Sequence, residues 1–363
     1  MEFPSAFDAG EEVNRSVKIL HIHRRPFPGQ HSIETLFASL RNEMRRDDCH
    51  VEPFVVPHHS KGLWHRVLNG WAAWRHRGDV NHITGDIHYV ALLLPRNRTI
   101  LTIHDCEALE RLTGLRRWLL KLFWFDLPVR RARFVTVISA ESKRRLQHHL
   151  PLADDKIVVI PDVISPIFRP CPRRFNEQCP RILQIGTKAN KNLFRLVEAL
   201  RGIRCHLHVV GRLSEEQTKR LHAAGIEFSN SWDLTPDQMY ESYCQADMVS
   251  FVSTHEGFGL PILEANAVGR PVVTSNTSSM PEVAGDAACL VDPQDPASMR
   301  AGILRVLKDA DYRQSLVRLG LDNVLRFRPQ IVAERYLSLY RQLAAAPERH
   351  PAVWSPVQAA NQR

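Results

Sequence analysis

Residues 251–269 read FVSTHEGFGLPILEANAVG, and their first three residues end an apolar segment, DMVSFVS, at 247–253. The apolar segment has the length and composition of a buried strand. Pro261 stands where the first helical residue of PILEANAV is expected, Gly269 follows its end, and Pro271 stops any continuation. Strand, glycine loop and helix form the repeating unit of an open parallel sheet, in which ligands bind beyond the carboxyl ends of the strands. Glu256 falls in the loop and Glu264 in the first turns of the helix, so the two carboxylates do not share one helical face. Between them, Phe258, Gly259 and Leu260 bring free backbone N–H groups to a helix N-terminus, where phosphate binds, and glycine lets a ligand come close to the backbone. Carboxylates aimed at a phosphate would repel it. Each therefore accepts hydrogen bonds from hydroxyls, which describes a nucleotide with a sugar at both ends: a ribose for one glutamate and a hexose for the other. The competing reading is a helix after a glycine turn with both glutamates solvated, and the bare E-x7-E spacing does not exclude it.

The surroundings weigh against that alternative. LQIGTKANKNLFRLVEAL at 183–200 again reads as strand, glycine loop and helix, with Leu193, Leu196, Val197 and Leu200 as the buried stripe. Gly186, Thr187, Lys188, Asn190 and Lys191 line this second loop, and the two lysines would add their charge to that of the helix start on one anion. Solvated surface lysines are the plainer alternative. Two such cradles at strand ends point to a diphosphate.

Earlier in the chain, TILTIHDCEAL at 99–109 ends a buried strand with His104, placed to donate to a substrate oxygen or else satisfied by Asp105. The loop RRPFPGQHSIE at 24–34 leads into a helix, and its Gly29, Gln30 and His31 are candidates for the acceptor side of a cleft. His21-x-His23 and His206-x-His208 lie inside predicted strands with no third ligand nearby, so no metal site is expected. Asp309-Ala-Asp311 falls at a helix boundary and reads as surface.

Val- and Ile-rich runs alternate with helical periods along most of the 363 residues, which predicts α/β architecture with parallel sheets. The alternation pauses between Pro161 and Pro180, where five prolines mark a linker. The expected division is an N-terminal Rossmann-like domain over 1–165 and a second over 166–328, with a helix at about 329–345 and a flexible tail at 346–363. In the second half, Thr235, Pro236 and Gln238 predict a capping box with proline in the first turn. Hydrophobic content of 44% and charged content of 24% are those of a globular protein, and no window reaches the apolar length needed to span a bilayer. The acidic N-terminus lacks the apolar core of a secretory signal, which predicts a cytoplasmic protein. Seven scattered cysteines without a C-x-x-C pair predict reduced thiols. A net charge of +9 points to acidic partners: nucleotides, nucleic acid or anionic lipid. No nucleic-acid-binding motif is present to support the second of these. The stretch RLTGLRRWLLKLFWFDLPVRRARF at 111–134 sets Trp118, Phe123, Trp124 and Phe125 among basic residues with the single acid Asp126. It reads either as a core helix with a solvated basic face or as a peripheral contact with an anionic membrane.

HEGFGLPILEANAVGRPVVTSNTSSMPEVAGDAACLVDP, together with QIGTKANKNLFRLVEAL and VTVISAESKRRL, resembles the retaining glycosyltransferases of family four. The resemblance spans most of the chain and implies the GT-B fold, two facing Rossmann-like domains with a cleft between them. It implies that Glu256 binds hydroxyls of the transferred sugar, that Glu264 holds the nucleotide ribose, and that the backbone from Phe258 to Leu260 meets the donor. Lys191 corresponds to the family's diphosphate-binding lysine and His104 to a first-domain histidine near the sugar. Many members carry an arginine where this chain has Thr187 or Asn190, so phosphate neutralisation either falls to Lys188 or is weaker. The implied activity is metal-independent, retaining transfer of a mannose- or glucose-type hexose. The donor would be a UDP- or GDP-sugar, with no other cofactor, and the acceptor a glycan or lipid-linked molecule at the inner face of a membrane, as in bacterial polysaccharide assembly. Other readings are another GT-B enzyme, such as a sugar-nucleotide epimerase, or a basic nucleic-acid-binding protein.

Overall fold

The computed structural model describes residues 16–26, 32–106, 109 and 112–345. Gly29, Gln30 and His31 of the expected acceptor side and the tail 346–363 lie outside the described residues.

Two six-stranded sheets, parallel throughout, follow one another along the chain. The first contains β1 (Val17–His23), β2 (Cys49–Val55), β3 (Val80–Ile83), β4 (Thr99–Ile103), β5 (Phe134–Val137) and β6 (Ile157–Val159), in the order β2-β1-β3-β4-β5-β6. The second contains β7 (Arg181–Ile185), β8 (His206–Val210), β9 (Glu227–Ser231), β10 (Met248–Phe251), β11 (Val272–Ser275) and β12 (Cys289–Val291), in the order β12-β11-β10-β7-β8-β9. Each order reverses once, between β1 and β3 in the first sheet and between β7 and β10 in the second, and such switch points open the crevice where open α/β sheets take ligands.

Both sheets bury apolar residues on both faces, as parallel sheets with helical crossovers do. In β1, Leu20 and Ile22 join Ile83, Leu101 and Val135 in one core, while Ile19 joins Phe37, Leu40 and Ile100 in another. The second sheet is likewise covered by separate clusters, around Phe251, Ile262 and Val272 and around Leu196, Leu207 and Ile303.

The closing helix, Pro329–Ala345, returns to the first sheet. Its Val332, Tyr336, Leu337 and Tyr340 complete the core around Ile19 and Phe37. The Tyr340 hydroxyl lies 2.8 Å from His21 Nε2 and 2.7 Å from His82 Nδ1, and Arg98 donates to the carbonyls of Leu343 and Ala344 at the helix end. Burial pushes His21 and His82 well below their usual pKa and holds His23 at about 3, so all three are neutral core residues. His206 and His208 share the hydroxyl of Ser229, each at 2.8 Å. Among the described residues no group of three His, Cys, Asp or Glu is placed to hold a metal ion.

Two local expectations need correction. The helix expected from Lys191 begins at Leu193, because Asn192 adopts φ 62° and Ala189–Lys191 form a separate 3-10 turn. The stretch 111–134 is not one regular helix: Gly114–Leu120 is α-helical, Lys121–Asp126 is a π-helix and Leu127–Arg131 is α-helical again. The wider turn sends Phe125 into the core and packs Trp124 against it, while Trp118 and Phe123 face outward. By contrast, the capping box at Thr235 and Gln238 is present, and Asp309 caps the helix Ala310–Val324.

Candidate functional site

β7 and β10 are neighbours, with Ile182 opposite Met248, so the loops leaving their carboxyl ends emerge side by side. This adjacency brings the two expected cradles together. A cavity of about 780 Å³ is lined by Lys188, Asn190, Lys191 and the run His255–Pro261 from the second half, and by His104, Asp105 and Asp162 from across the cleft.

Gly186 has φ +88°, and a Cβ there would lie 2.8 Å from Lys191 Cγ, so glycine lets the lysine lie across the backbone. Lys191 Nζ then passes 4.7 Å from the Phe251 ring centroid and meets Glu256 Oε1 at 2.6 Å. Asn190 Nδ2 donates to the same carboxylate oxygen at 3.2 Å and to the His255 carbonyl at 3.0 Å. The Glu256 loop is fixed from below: Ser278 Oγ donates to the Glu256 carbonyl at 2.8 Å, and Ser279 Oγ to the Phe258 carbonyl at 2.5 Å. These two serines went unassigned in the sequence, because nothing in the local pattern of TSSMPEV says that its hydroxyls reach back across two strands.

The helix Leu260–Val268 starts at Gly259, φ +126°, with no side-chain cap; Pro261 has no N–H and the Ile262 N–H donates to the Gly259 carbonyl at 3.0 Å, which leaves the Leu260 N–H at the helix start without a side-chain acceptor. Glu264 sits further in and does not line the cavity. Its carboxylate accepts a 2.5 Å hydrogen bond from the Tyr243 hydroxyl, and burial pushes its pKa up to about 7 against the lowering effects of Tyr243 and Lys191. Gly186 and Thr187 are also absent from the lining. The Thr187 hydroxyl turns away to the Arg212 carbonyl at 2.8 Å.

On the opposite wall, His104 Nε2 lies 2.9 Å from the carbonyl of Thr84 at the end of β3. A carbonyl only accepts, so Nε2 carries a proton and donates to it. With Nε2 held by Thr84, Nδ1 is the ring nitrogen left for a substrate. Asp162, in the linker after β6, is buried in the same wall, with its pKa raised by burial and lowered again by His104. The sequence offered no signal for it, because a proline-rich linker does not show which sheet it lies against.

The walls touch. A Cβ on Gly257 would lie 3.2 Å from the His104 carbonyl, so this glycine permits the close approach of the halves. Its own carbonyl accepts from Ser139 Oγ at 2.8 Å and Ser142 Oγ at 3.1 Å, and Glu282 accepts from the Ala140 N–H at 2.8 Å.

Two family descriptions match the chain: "Glycosyltransferase Family 4" over residues 10–166 and "Glycosyl transferases group 1" over residues 179–309. The chain is 27% identical to a D-inositol 3-phosphate glycosyltransferase of Corynebacterium diphtheriae over 367 aligned positions, covering 92% of this chain and 82% of that protein. It is 40% identical to O-antigen chain mannosyltransferase B of Escherichia coli over 101 residues, a match that spans 28% of this chain and only 26% of the relative. Among solved structures, Anabaena HepE in complex with UDP and glucose superposes with a TM-score of 0.71 at 15% identity, over 90% of this chain and all of that one, which shows the shared GT-B fold.

Proposed function

Since the chain belongs to glycosyltransferase family 4, we propose that it transfers a mannose- or glucose-type hexose, with retention of anomeric configuration and without a divalent metal, from a UDP- or GDP-sugar to a glycan or lipid-linked acceptor. The observation that carries this reading is the Lys191–Glu256 pair at 2.6 Å, set beside an uncapped helix start and facing His104 across the cleft.

An arriving diphosphate competes with Glu256 for Lys191. Lys191, Lys188 and the Leu260 N–H at the helix start then hold the diphosphate, supplying the positive charge that a metal gives elsewhere. Glu256, displaced from the lysine but still held by Asn190, accepts hydrogen bonds from hydroxyls of the sugar. His104 accepts another through Nδ1, which fixes the ring against the first half. Glu264, enclosed behind the helix start, takes the ribose hydroxyls once the loop admits the nucleotide. As the bond from the anomeric carbon to the diphosphate oxygen breaks, negative charge grows on the group that Lys191 contacts, so its stabilisation is largest in the transition state. The acceptor oxygen bonds to the same face of the anomeric carbon, and its proton passes to the departing diphosphate oxygen, so no side chain acts as a covalent nucleophile.

The test is to incubate the full chain with α-linked UDP- and GDP-hexoses and glycan acceptors in excess EDTA and determine the anomeric configuration of the product by NMR. An α-linked product is expected. A β-linked product, or turnover abolished by EDTA and restored by magnesium, would contradict the reading.

A further inference from the structure

The helix Gly62–His76 buries Asn69, Gly70 and Ala73 against the first half, yet its opposite side carries Trp64, Val67, Leu68 and Trp71 at helical spacing, all exposed. Trp64 is 76% exposed and Trp71 50%. No neighbouring element covers this stripe among the described residues. The segment Gly114–Asp126 presents a second apolar set, with Leu115 70% and Trp118 58% exposed beside Leu119 and Phe123. The two segments meet: the Arg66 guanidinium lies 4.5 Å from the centroid of Trp124, and Tyr89 beneath them touches Trp124 and the Asn69 amide.

We infer that these two helical segments form one docking face for an anionic lipid bilayer, from which a lipid-borne acceptor reaches the hollow beside His104. Three observations select this occupant. The face is strongly basic: Gly62–His76 holds no Asp or Glu, contains Arg66 and Arg75 and is flanked by Lys61 and Arg77, while Arg116, Arg117 and Lys121 outnumber the single acid, Asp126, of the second segment. A second copy of the chain would bring this charge against itself, whereas anionic headgroups complement it. The aromatic residues are mainly tryptophan, which favours the water–hydrocarbon boundary, and the guanidinium groups of Arg75 and Arg77 lie over the rings of Trp71 and Trp74 at 4.9 and 4.5 Å. The face is also continuous with the site. A hollow of about 490 Å³ runs from Lys61, Leu120 and Trp124 on the docking segments to His104 and Asp105, which line the donor cavity as well. Arg25 and Lys61 in its wall, beside an Arg24 already paired with Glu34 and Asp86, suit an acceptor that carries a phosphate between its lipid and its sugar. No described helix is long and apolar enough to cross a membrane, so attachment through this face is peripheral.

The acceptor clause rests on the proposed glycosyl transfer, but the docking face does not, and the experiment separates them. The full chain is sedimented with vesicles of phosphatidylcholine alone or mixed with phosphatidylglycerol, at low and high salt. Two variants accompany it: Trp64→Ser with Trp71→Ser, and Arg116→Glu with Arg117→Glu and Lys121→Glu. All of these positions are exposed except the half-buried Lys121, and unchanged thermal stabilisation by UDP or GDP shows that each variant is folded. Wild type is expected to bind only the anionic vesicles, with at least about tenfold loss of binding in each variant and partial loss in high salt. Absence of binding, equal binding to neutral vesicles, or wild-type binding by the tryptophan variant would overturn the proposal. So would a wild-type dimer that the tryptophan changes dissociate. Vesicle binding without any nucleotide stabilisation would leave the docking face standing and count against the transferase reading.

Discussion

In the second half of the molecule, the helices away from the cleft are closed by side chains: Glu215–Ala223 by Ser214 with Gln217, and Pro236–Cys244 by Thr235 with Gln238. The helices Leu193–Leu200 and Leu260–Val268, which leave β7 and β10 at the cleft, start without a side-chain cap. In the first half the exception is of another kind. The helix Ala140–His149 is capped by Ser139, but Gly62–His76 turns tryptophans to the outside. Helix starts without a side-chain cap occur in both halves, Gly62–His76 among them, but only in the second half do they stand beside a lysine pair at the cleft, while the first half exposes apolar surface ringed by charge. A ligand is the economical completion of both, an anion for the one and an amphiphile for the other. The proposed division of labour puts donor chemistry on β7 and β10 and acceptor capture on the first sheet.

The largest effect should come from Glu256→Ala. Loss of its contacts with the sugar is expected to lower kcat/KM by about 10³-fold, while affinity for the nucleoside diphosphate holds or rises, because Lys191 is released from its 2.6 Å partner. Steady-state kinetics beside calorimetry with UDP or GDP separates the two. Equal loss of nucleotide affinity would place Glu256 on the phosphate side and blur the comparison. Lys191→Ala should cost less, about 10²-fold in kcat/KM, divided between donor affinity and turnover, since the charge it meets grows as the leaving group departs. Unchanged kinetics would move the diphosphate to Lys188 or the helix start alone.

A third effect sharpens the placement of the ribose. The Glu264 pKa stands at about 7 against an ordinary 4.5 because its carboxyl is enclosed. The folded protein therefore holds this proton more tightly than the unfolded chain. The group's contribution to stability is greatest below pH 4.5 and declines as pH rises from 4.5 through 7. Ribose hydroxyls donate to the ionised form, so nucleotide affinity should rise with pH up to about 7, by at most about tenfold per unit, and then level off. Calorimetric titration from acid to neutral pH checks this, and Glu264→Gln should flatten the profile while lowering affinity. Gly257→Ala is expected to do least. Its Cβ would meet the His104 carbonyl at 3.2 Å, easing the halves apart and lowering turnover by about threefold with nucleotide affinity intact.

Much of this division could be read from the sequence, where local signals sufficed. The alternation of apolar runs and helical periods predicted parallel α/β sheets, and proline and glycine bracketed the helix after β10. The cradle residues Lys188, Asn190, Lys191 and Glu256 followed from strand-end logic, and the structure gathers them at one cavity. What escaped the sequence depends on contacts between distant segments. Ser278 and Ser279 support the Glu256 loop from more than twenty positions away, Asp162 is brought to the cleft by a linker, and the Nε2 proton of His104 is fixed by Thr84 from a different strand. The outward tryptophans of Gly62–His76 were missed for a different reason. Periodicity marks an apolar stripe but does not say which stripe the core takes, and here the core took the side of Asn69, Gly70 and Ala73.

The central claim, that the cleft beside Lys191 and Glu256 takes a nucleotide diphosphate sugar without metal, is tested most directly by thermal unfolding against a panel of UDP-, GDP- and ADP-sugars in EDTA. A ligand that binds only the folded state raises the melting temperature in proportion to the logarithm of its concentration over Kd. One nucleotide series is expected to stabilise the wild-type chain, to do so much less for Lys191→Ala, and to stabilise Glu256→Ala through its diphosphate but not through its sugar. Stabilisation by no series, or by one series equally in all three proteins, would contradict the claim.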